Sequence, residues 1–244
     1  MKQFNLICLM CLYCILFFSC GTDKDDKSIE IHYLVNGNPI NNPLALNYPK
    51  EHGYEFGISG GNCNYTINVL DKNVVSACIE DTHLIIKPLT IGSTEVIVSD
   101  KSDNAITINV SVMYFEQNFN VLNHSVHISG DISNEQKKAI TAKVLSHIPQ
   151  IGGGYKFIYM DEEQTFGNCY IYMENARDRD IEGTFTYTAN GYSLVIGEKT
   201  RKLLWGKFTK LAPPPAMAFL EDITPFYQSD YPKIKLIYTS ELVN

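Results

Sequence analysis

The chain has 244 residues, 45% of them hydrophobic and 19% charged, with a formal net charge of −7. These are globular values, and about 225 residues beyond a leader leave room for one large domain or two small ones. An acidic chain without a basic cluster is a poor match for nucleic acid, and no later segment reaches the roughly 20 apolar residues of a membrane-spanning helix.

Residues 6–18 form an uncharged apolar run behind Lys2. About 13 residues is the length of a signal-peptide core and is short of a bilayer span. The run ends in Phe17-Phe18-Ser19-Cys20, which resembles a bacterial lipobox. The small residue before Cys20 fits, and Phe17 stands where leucine is usual. The resemblance implies removal of residues 1–19 and diacylation of Cys20, and two or three acyl chains on one residue give a stable anchor where one is marginal. An ordinary secretory signal is the competing reading and would leave no lipid. Cys8, Cys11 and Cys14 sit inside the apolar run without polar partners and read as small hydrophobes. Residues 20–27 are an acidic tether. Its Lys24-Asp25-Asp26 is similar to the surface-export signal of lipoproteins in one Gram-negative phylum. The expected location is the outer membrane, lipid-anchored and exposed on the cell surface.

Residues 28–113 are dense in β-branched residues and turn signals. Tyr65, Ile67 and Val69 alternate with polar neighbours, and so do Val75, Ala77 and Ile79. Runs at 84–86, 94–98 and 106–112 continue the pattern, with turns at 71–73, 80–82 and 99–104. Short strands at such spacing predict a β-sandwich. Gly60-Gly61, Tyr65, Asn73-Val74-Val75, the block from Leu84 through Gly92 to Asp100, and 105–112 together resemble the bacterial immunoglobulin-like group 2 domain. Within that block Gly92 fits a turn that a residue without Cβ takes cheaply. The resemblance covers roughly residues 40–113 and implies an extracellular spacer or adhesive module, with no ligand residues defined. An oxidising exterior permits a Cys63–Cys78 disulfide, whose loop of about 15 residues would contribute roughly 3 kcal/mol. Cys169 is left alone and reads as a buried strand thiol.

Residues 114–244 change pattern. Ser133 and Gln136 form a capping box ahead of Ile140, Val144, Leu145 and Ile148, so a helix is predicted over 134–148. Its other face, with Lys137, Lys138, Lys143 and His147, reads as solvated. Strands follow at 155–159 and 169–173. Residues 183–197 read as a hairpin closed by Asn190-Gly191 in a type I′ turn. Further strands are expected at 202–211, 217–223 and 233–238, with a short helix from Thr224-Pro225 to about residue 230. The expected fold is mainly β: an immunoglobulin-like sandwich, then an α+β domain with one main helix on a curved antiparallel sheet of six or so strands, faintly lipocalin-like.

Catalytic patterns are missing. All six histidines lie in the first 147 residues, and His124 and His127 would point to opposite faces of a strand, wrong for one metal. Gly152-Gly153-Gly154 precedes a strand and lacks the lysine of a phosphate loop. Asp178, Asp180, Glu182 and Gly183 begin like a calcium loop, but position 12 is Ala189. No enzyme activity, metal or cofactor is expected. A hydrolase using the acids between Asp161 and Glu182 ranks third. What remains is an aromatic face: Tyr155, Tyr159, Tyr170, Tyr172, Tyr187 and Tyr192, with Phe157 and Phe185. Such rings stack on sugars or line an apolar cavity. The simpler reading makes them the core beneath the helix. The expected function is a non-enzymatic, membrane-anchored surface lipoprotein that binds a glycan, a protein or a small apolar ligand. The alternative is a structural part of an envelope or fimbria-like assembly.

Overall fold

A computed structural model of the chain describes residues 28–174, 180–206 and 217–243. Cys20, the rest of the 20–27 tether, Arg177, Asp178, Arg179 and the Pro213-Pro214-Pro215 loop lie outside the described residues. The described chain is mainly β with one α-helix. It divides into two units at Val112 and Met113, with Asn47–Pro49 grouped with the second.

The first unit holds two four-stranded sheets. One is ordered β1-β3-β6-β5, from Glu30–Tyr33, Tyr54–Ser59, His83–Pro88 and Val75–Glu80. The other is ordered β2-β8-β7-β4, from Leu44–Tyr48, Ala105–Tyr114, Gly92–Ser99 and Thr66–Val69. Period-2 alternation decides which side chains are buried. Val96 and Val98 on β7 and Ile108, Val110 and Val112 on β8 are buried, and the residues between them are not. Gly92 has φ +150 and opens β7 with Val74 against it, so a Cβ there would crowd the valine. Asp100 is a buried carboxylate that organises its turn. It accepts from the backbone N–H of Asn62 (2.9 Å), Ser102 (2.7 Å) and Asn104 (3.2 Å), and from the Asn104 amide (3.0 Å). Those bonds, the Asn104 side chain first, hold its carboxyl below the usual range. The Tyr65 hydroxyl donates to Gly60 O at 2.6 Å on the same side of the unit.

The Cys63–Cys78 bond that an oxidising exterior would permit is not made. Cys78 is an exposed free thiol, because strand alternation puts it with Ser76 and Glu80 on the open face of β5.

The second unit has more strands than the expected curved sheet of six or so, and its sheet is closed. Eight strands close into a barrel, ordered β10-β11-β12-β13-β14-β15-β16-β9. In chain order they are β9 (Glu116–Ser129), β10 (Gly154–Tyr159), β11 (Phe166–Tyr172), β12 (Asp180–Thr188), β13 (Gly191–Ile196), β14 (Lys199–Gly206), β15 (Met217–Asp222) and β16 (Lys235–Val243). The closure is the work of β9. Its first half pairs with β10 and its remainder with β16, with a bulge at Glu241/Leu242. Closing the sheet removes both open edges, which otherwise invite pairing with other chains. Eight strands leave a bore just wide enough for side chains to fill it. Here Phe119, Phe157, Phe185, Tyr192 and Phe219 fill it, with Leu194 and Leu203. On β12 the buried Phe185 contrasts with exposed Glu182, Thr184, Thr186 and Thr188.

Helix α1 (Asn134–Leu145) starts at Ser133, whose Oγ accepts from Gln136 N while Gln136 Oε1 accepts from Ser133 N. Ile140, Val144 and Ile148 are buried against Ile223, Ile234, Leu236 and Tyr238. Those residues belong to one mouth of the barrel, so the helix covers that mouth rather than the tyrosine rings of the bore. Two turns differ from expectation. The β12–β13 hairpin turns at Ala189-Asn190, Asn190 is not at positive φ, and Gly191 (φ +133) pairs with Thr188. That glycine serves a close approach, since a Cβ would collide with Leu203 O. Thr224–Phe226 is a single 3-10 turn, and Thr224 Oγ1 accepts from Leu236 N at 2.8 Å instead of capping a helix.

Candidate functional site

The six tyrosines singled out above divide by strand parity. Tyr155, Tyr159 and Tyr192 point into the bore and are 1–2% exposed. Tyr187 is partly buried against the same cluster. Tyr170 and Tyr172 alternate with buried Cys169 and Ile171 and stand on the outer face of β11. The inward rings are packed on one another: Phe157 stacks on Tyr192 at 4.0 Å, and Tyr159 meets Phe185 edge-on at 5.0 Å. Gln117 Oε1 takes the hydroxyls of Tyr159 (2.6 Å) and Tyr192 (2.8 Å), which also touch each other at 2.8 Å. The inward rings are core. Cys169 belongs to the same core, where burial pushes its thiol up to about 11.

Of the acids considered for hydrolysis, Asp161 serves its turn and Glu163, Glu174 and Glu182 face solvent. Asp161 Oδ1 and Oδ2 accept from Thr165 N at 2.9 Å, and Oδ1 also takes Phe166 N at 3.0 Å. Burial raises the Asp161 carboxyl, and these bonds outweigh it, leaving it below its ordinary value. Glu163, Glu174 and Glu182 are exposed. The buried acid among the described residues of the second unit is one that sequence reasoning did not single out for chemistry, Glu221.

Glu221 is 1% exposed and faces inward from β15. Arg201, 12% exposed, faces it from β14. Arg201 Nε donates to Glu221 Oε1 at 2.7 Å and Nη2 to Oε2 at 2.6 Å, a two-point pairing of guanidinium and carboxylate. Burial works against the charge of Arg201, but the hydrogen bonds and charge of Glu221 outweigh it and raise its pKa. Three polar atoms on neighbouring strands are buried without a hydrogen-bond partner: His124 Nδ1, Tyr155 OH and Ser240 Oγ. Burial raises the Tyr155 phenol, with Arg201 acting in the opposite direction. The aromatic filling of the bore therefore ends, toward the helix, in a polar layer.

Beyond that layer lies a cavity of about 350 Å³ at the helix-covered mouth. Its apolar wall is Ile148, Ile181, Ile196, Ile223, Phe226 and Tyr227. Its polar groups are Lys143, His147, Lys199, Arg201 and Glu221. Lys143 Nζ bonds Asp230 Oδ2 at 3.0 Å, and Lys199 Nζ stands 6.0 Å over the Phe226 ring. His147 Nδ1 stands 2.8 Å from Lys143 O and 3.0 Å from Ser146 Oγ, which leaves Nε2 free of both contacts. Lys143 and His147, read from the sequence as a solvated helix face, are thus rim residues of a pocket. Two other concavities are smaller. One, of about 130 Å³, lies beside Asn118, Asn120 and Gly152. The other, of about 200 Å³, lies in the first unit among Ile29, Ile31, Ile40 and Ile106. Among the described residues no group of three histidine, cysteine, aspartate or glutamate side chains is placed to hold a metal.

In comparisons with known proteins, no family model, no curated protein and no solved structure matches the chain. The site is therefore argued from its own geometry.

Proposed function

We propose that the chain is a non-enzymatic surface lipoprotein of a Gram-negative outer membrane whose barrel binds a small ligand at its helix-covered mouth. The anchor rests on the lipobox-like Cys20, and display on Lys24-Asp25-Asp26. The first unit is read as an immunoglobulin-like spacer from the motif residues Gly60, Gly61, Tyr65, Gly92 and Asp100 and from its pair of four-stranded sheets. The observation that carries binding is the contrast between a bore packed with rings and an open 350 Å³ cavity at one mouth. That volume lies at the lower end of small-molecule pockets, and a mostly apolar wall with a few convergent polar groups is their usual make-up.

The test uses 2-naphthol, a neutral fluorescent apolar probe, titrated into the full-length protein. The reading expects one saturable site that Ile196→Trp abolishes by filling the cavity. Binding that survives Ile196→Trp in a folded protein, or none at all, would refute it. A structural role in a surface assembly is supported by the unclosed sheets of the first unit, which end in β1, β5, β2 and β4. Open strands of this kind accept a further strand. Protein extracted as a large native complex would favour that role, and a strict monomer would count against it.

A further inference from the structure

We infer that the mouth pocket takes a small amphiphilic carboxylate: one anionic head and an apolar body, together about a dozen non-hydrogen atoms at about 30 Å³ each. This rests on the reading of the pocket as the ligand site and adds the chemical class.

The first argument is charge. The chain as a whole is at −7. Among the described residues the pocket wall nevertheless brings together Lys143, Lys199 and Arg201 against the single acid Glu221. Even with Asp230 counted against Lys143, a positive excess remains.

The second argument is the balance of donors and acceptors. A guanidinium has five N–H donors, and Glu221 takes two of those of Arg201. At most three are left, on a side chain that lines the cavity and is only 12% exposed. Both Glu221 oxygens are occupied by Arg201 and the residue is 1% exposed, so it offers little to an amine. The lining is rich in donors and poor in acceptors. A bound molecule must therefore bring acceptor oxygens, and a carboxylate brings two without a donor. A carboxylate also matches the planar fork of Arg201.

The third argument is the apolar wall. Ile148, Ile181, Ile196 and Ile223 offer a sugar nothing to hydrogen-bond, whereas a short alkyl or aryl body would bury against them at about 25 cal/mol per Å².

The experiment is displacement of bound 2-naphthol from the full-length protein by octanoate, octan-1-ol and octylamine at low salt. Octanoate should displace the probe at concentrations at least tenfold below those of the alcohol and the amine. In Lys143→Gln/Lys199→Gln, two exposed substitutions that spare the Arg201–Glu221 pair, the preference for octanoate over octanol should narrow at least threefold. Octanol equal to octanoate, octylamine ahead of it, or an unchanged preference in the double variant would each overturn the carboxylate assignment. All three leave the pocket reading standing. Probe binding that Ile196→Trp fails to remove would instead defeat the pocket reading.

Discussion

The Arg201–Glu221 pair yields the sharpest prediction about the barrel. Both side chains are largely out of water and joined by two short hydrogen bonds. Arg201→Met keeps the length of the side chain and removes its charge. It strands a carboxylate that is 1% exposed, and losing one partner of a buried pair costs about 3–5 kcal/mol. Glu221→Leu strands Arg201 instead. That residue lines the pocket and is more exposed than Glu221, 12% against 1%, so the loss should be the smaller of the two. The double variant Arg201→Met/Glu221→Leu leaves no orphan charge and should lie within about 1 kcal/mol of the parent or above it. The assay is urea unfolding followed by Trp205, the single tryptophan, whose ring meets Phe219 at 4.8 Å and Phe119 at 5.9 Å and so reports the barrel unit. A pH dependence follows. In Arg201→Met the buried, unpaired Glu221 has a folded-state pKa raised above the unfolded value of about 4.3. A raised folded pKa means that stability is regained as pH falls through it, so the deficit should shrink from pH 8 toward pH 5. Singles that simply add in the double variant, or an Arg201→Met deficit under about 1 kcal/mol, would refute the reasoning.

Other outcomes follow from the same structure. Ser133→Ala removes the capping box and should cost about 1 kcal/mol in the Trp205 transition; no measurable change would mean that α1 does not depend on its cap. Brief alkylation of the native protein with peptide mapping should label Cys78 and spare Cys169 until the barrel unfolds, whereas a protected Cys78 would contradict its place on the open face of β5. The lowered folded-state pKa of Asp100 supplies stability that is present above the unfolded value of about 3.9 and lost as pH falls through the folded one. Asp100→Asn should therefore weaken the first unit near neutral pH and flatten its loss of stability below about pH 4, as followed by circular dichroism; an unchanged acid profile would count against the four bonds assigned to that carboxylate.

Much of the second unit can be read locally, and its closure cannot. Strands β10, β11 and β15 announce themselves through alternation and aromatic content. Strand β9 does not, because its inward positions include the polar Gln117 and His124 and a bulge breaks its alternation at Leu122-Asn123. Without β9 the remaining strands make an open sheet. Pairing of β9 with β16 joins residues about a hundred positions apart, which no local pattern reports. The tyrosines were legible as a face but not as a filled bore, since the size of the bore depends on the strand count. Arg201 and Glu221 did carry a signal. Each occupies an inward position of its strand, Arg201 in step with Leu203 and Trp205, and Glu221 with Phe219 and Ile223. A charged residue in phase with an apolar stripe marks a buried polar site, and starting β14 at Lys202 hid the first of them. Lys143 and His147 could not be told from solvated residues, because their role depends on where α1 lies over the barrel.

The central claim is that the mouth pocket, and no other part of the protein, is where a ligand sits. Isoleucine-methyl NMR of the full-length protein titrated with 2-naphthol tests it most directly. Ile148, Ile181, Ile196 and Ile223 line the pocket, Ile171 lies in the packed bore, and Ile31 and Ile106 line the groove of the first unit. The account predicts shifts at the four pocket methyls, with Ile171, Ile31 and Ile106 unmoved. Shifts centred on Ile31 and Ile106, or four silent pocket methyls at saturating probe, would contradict it.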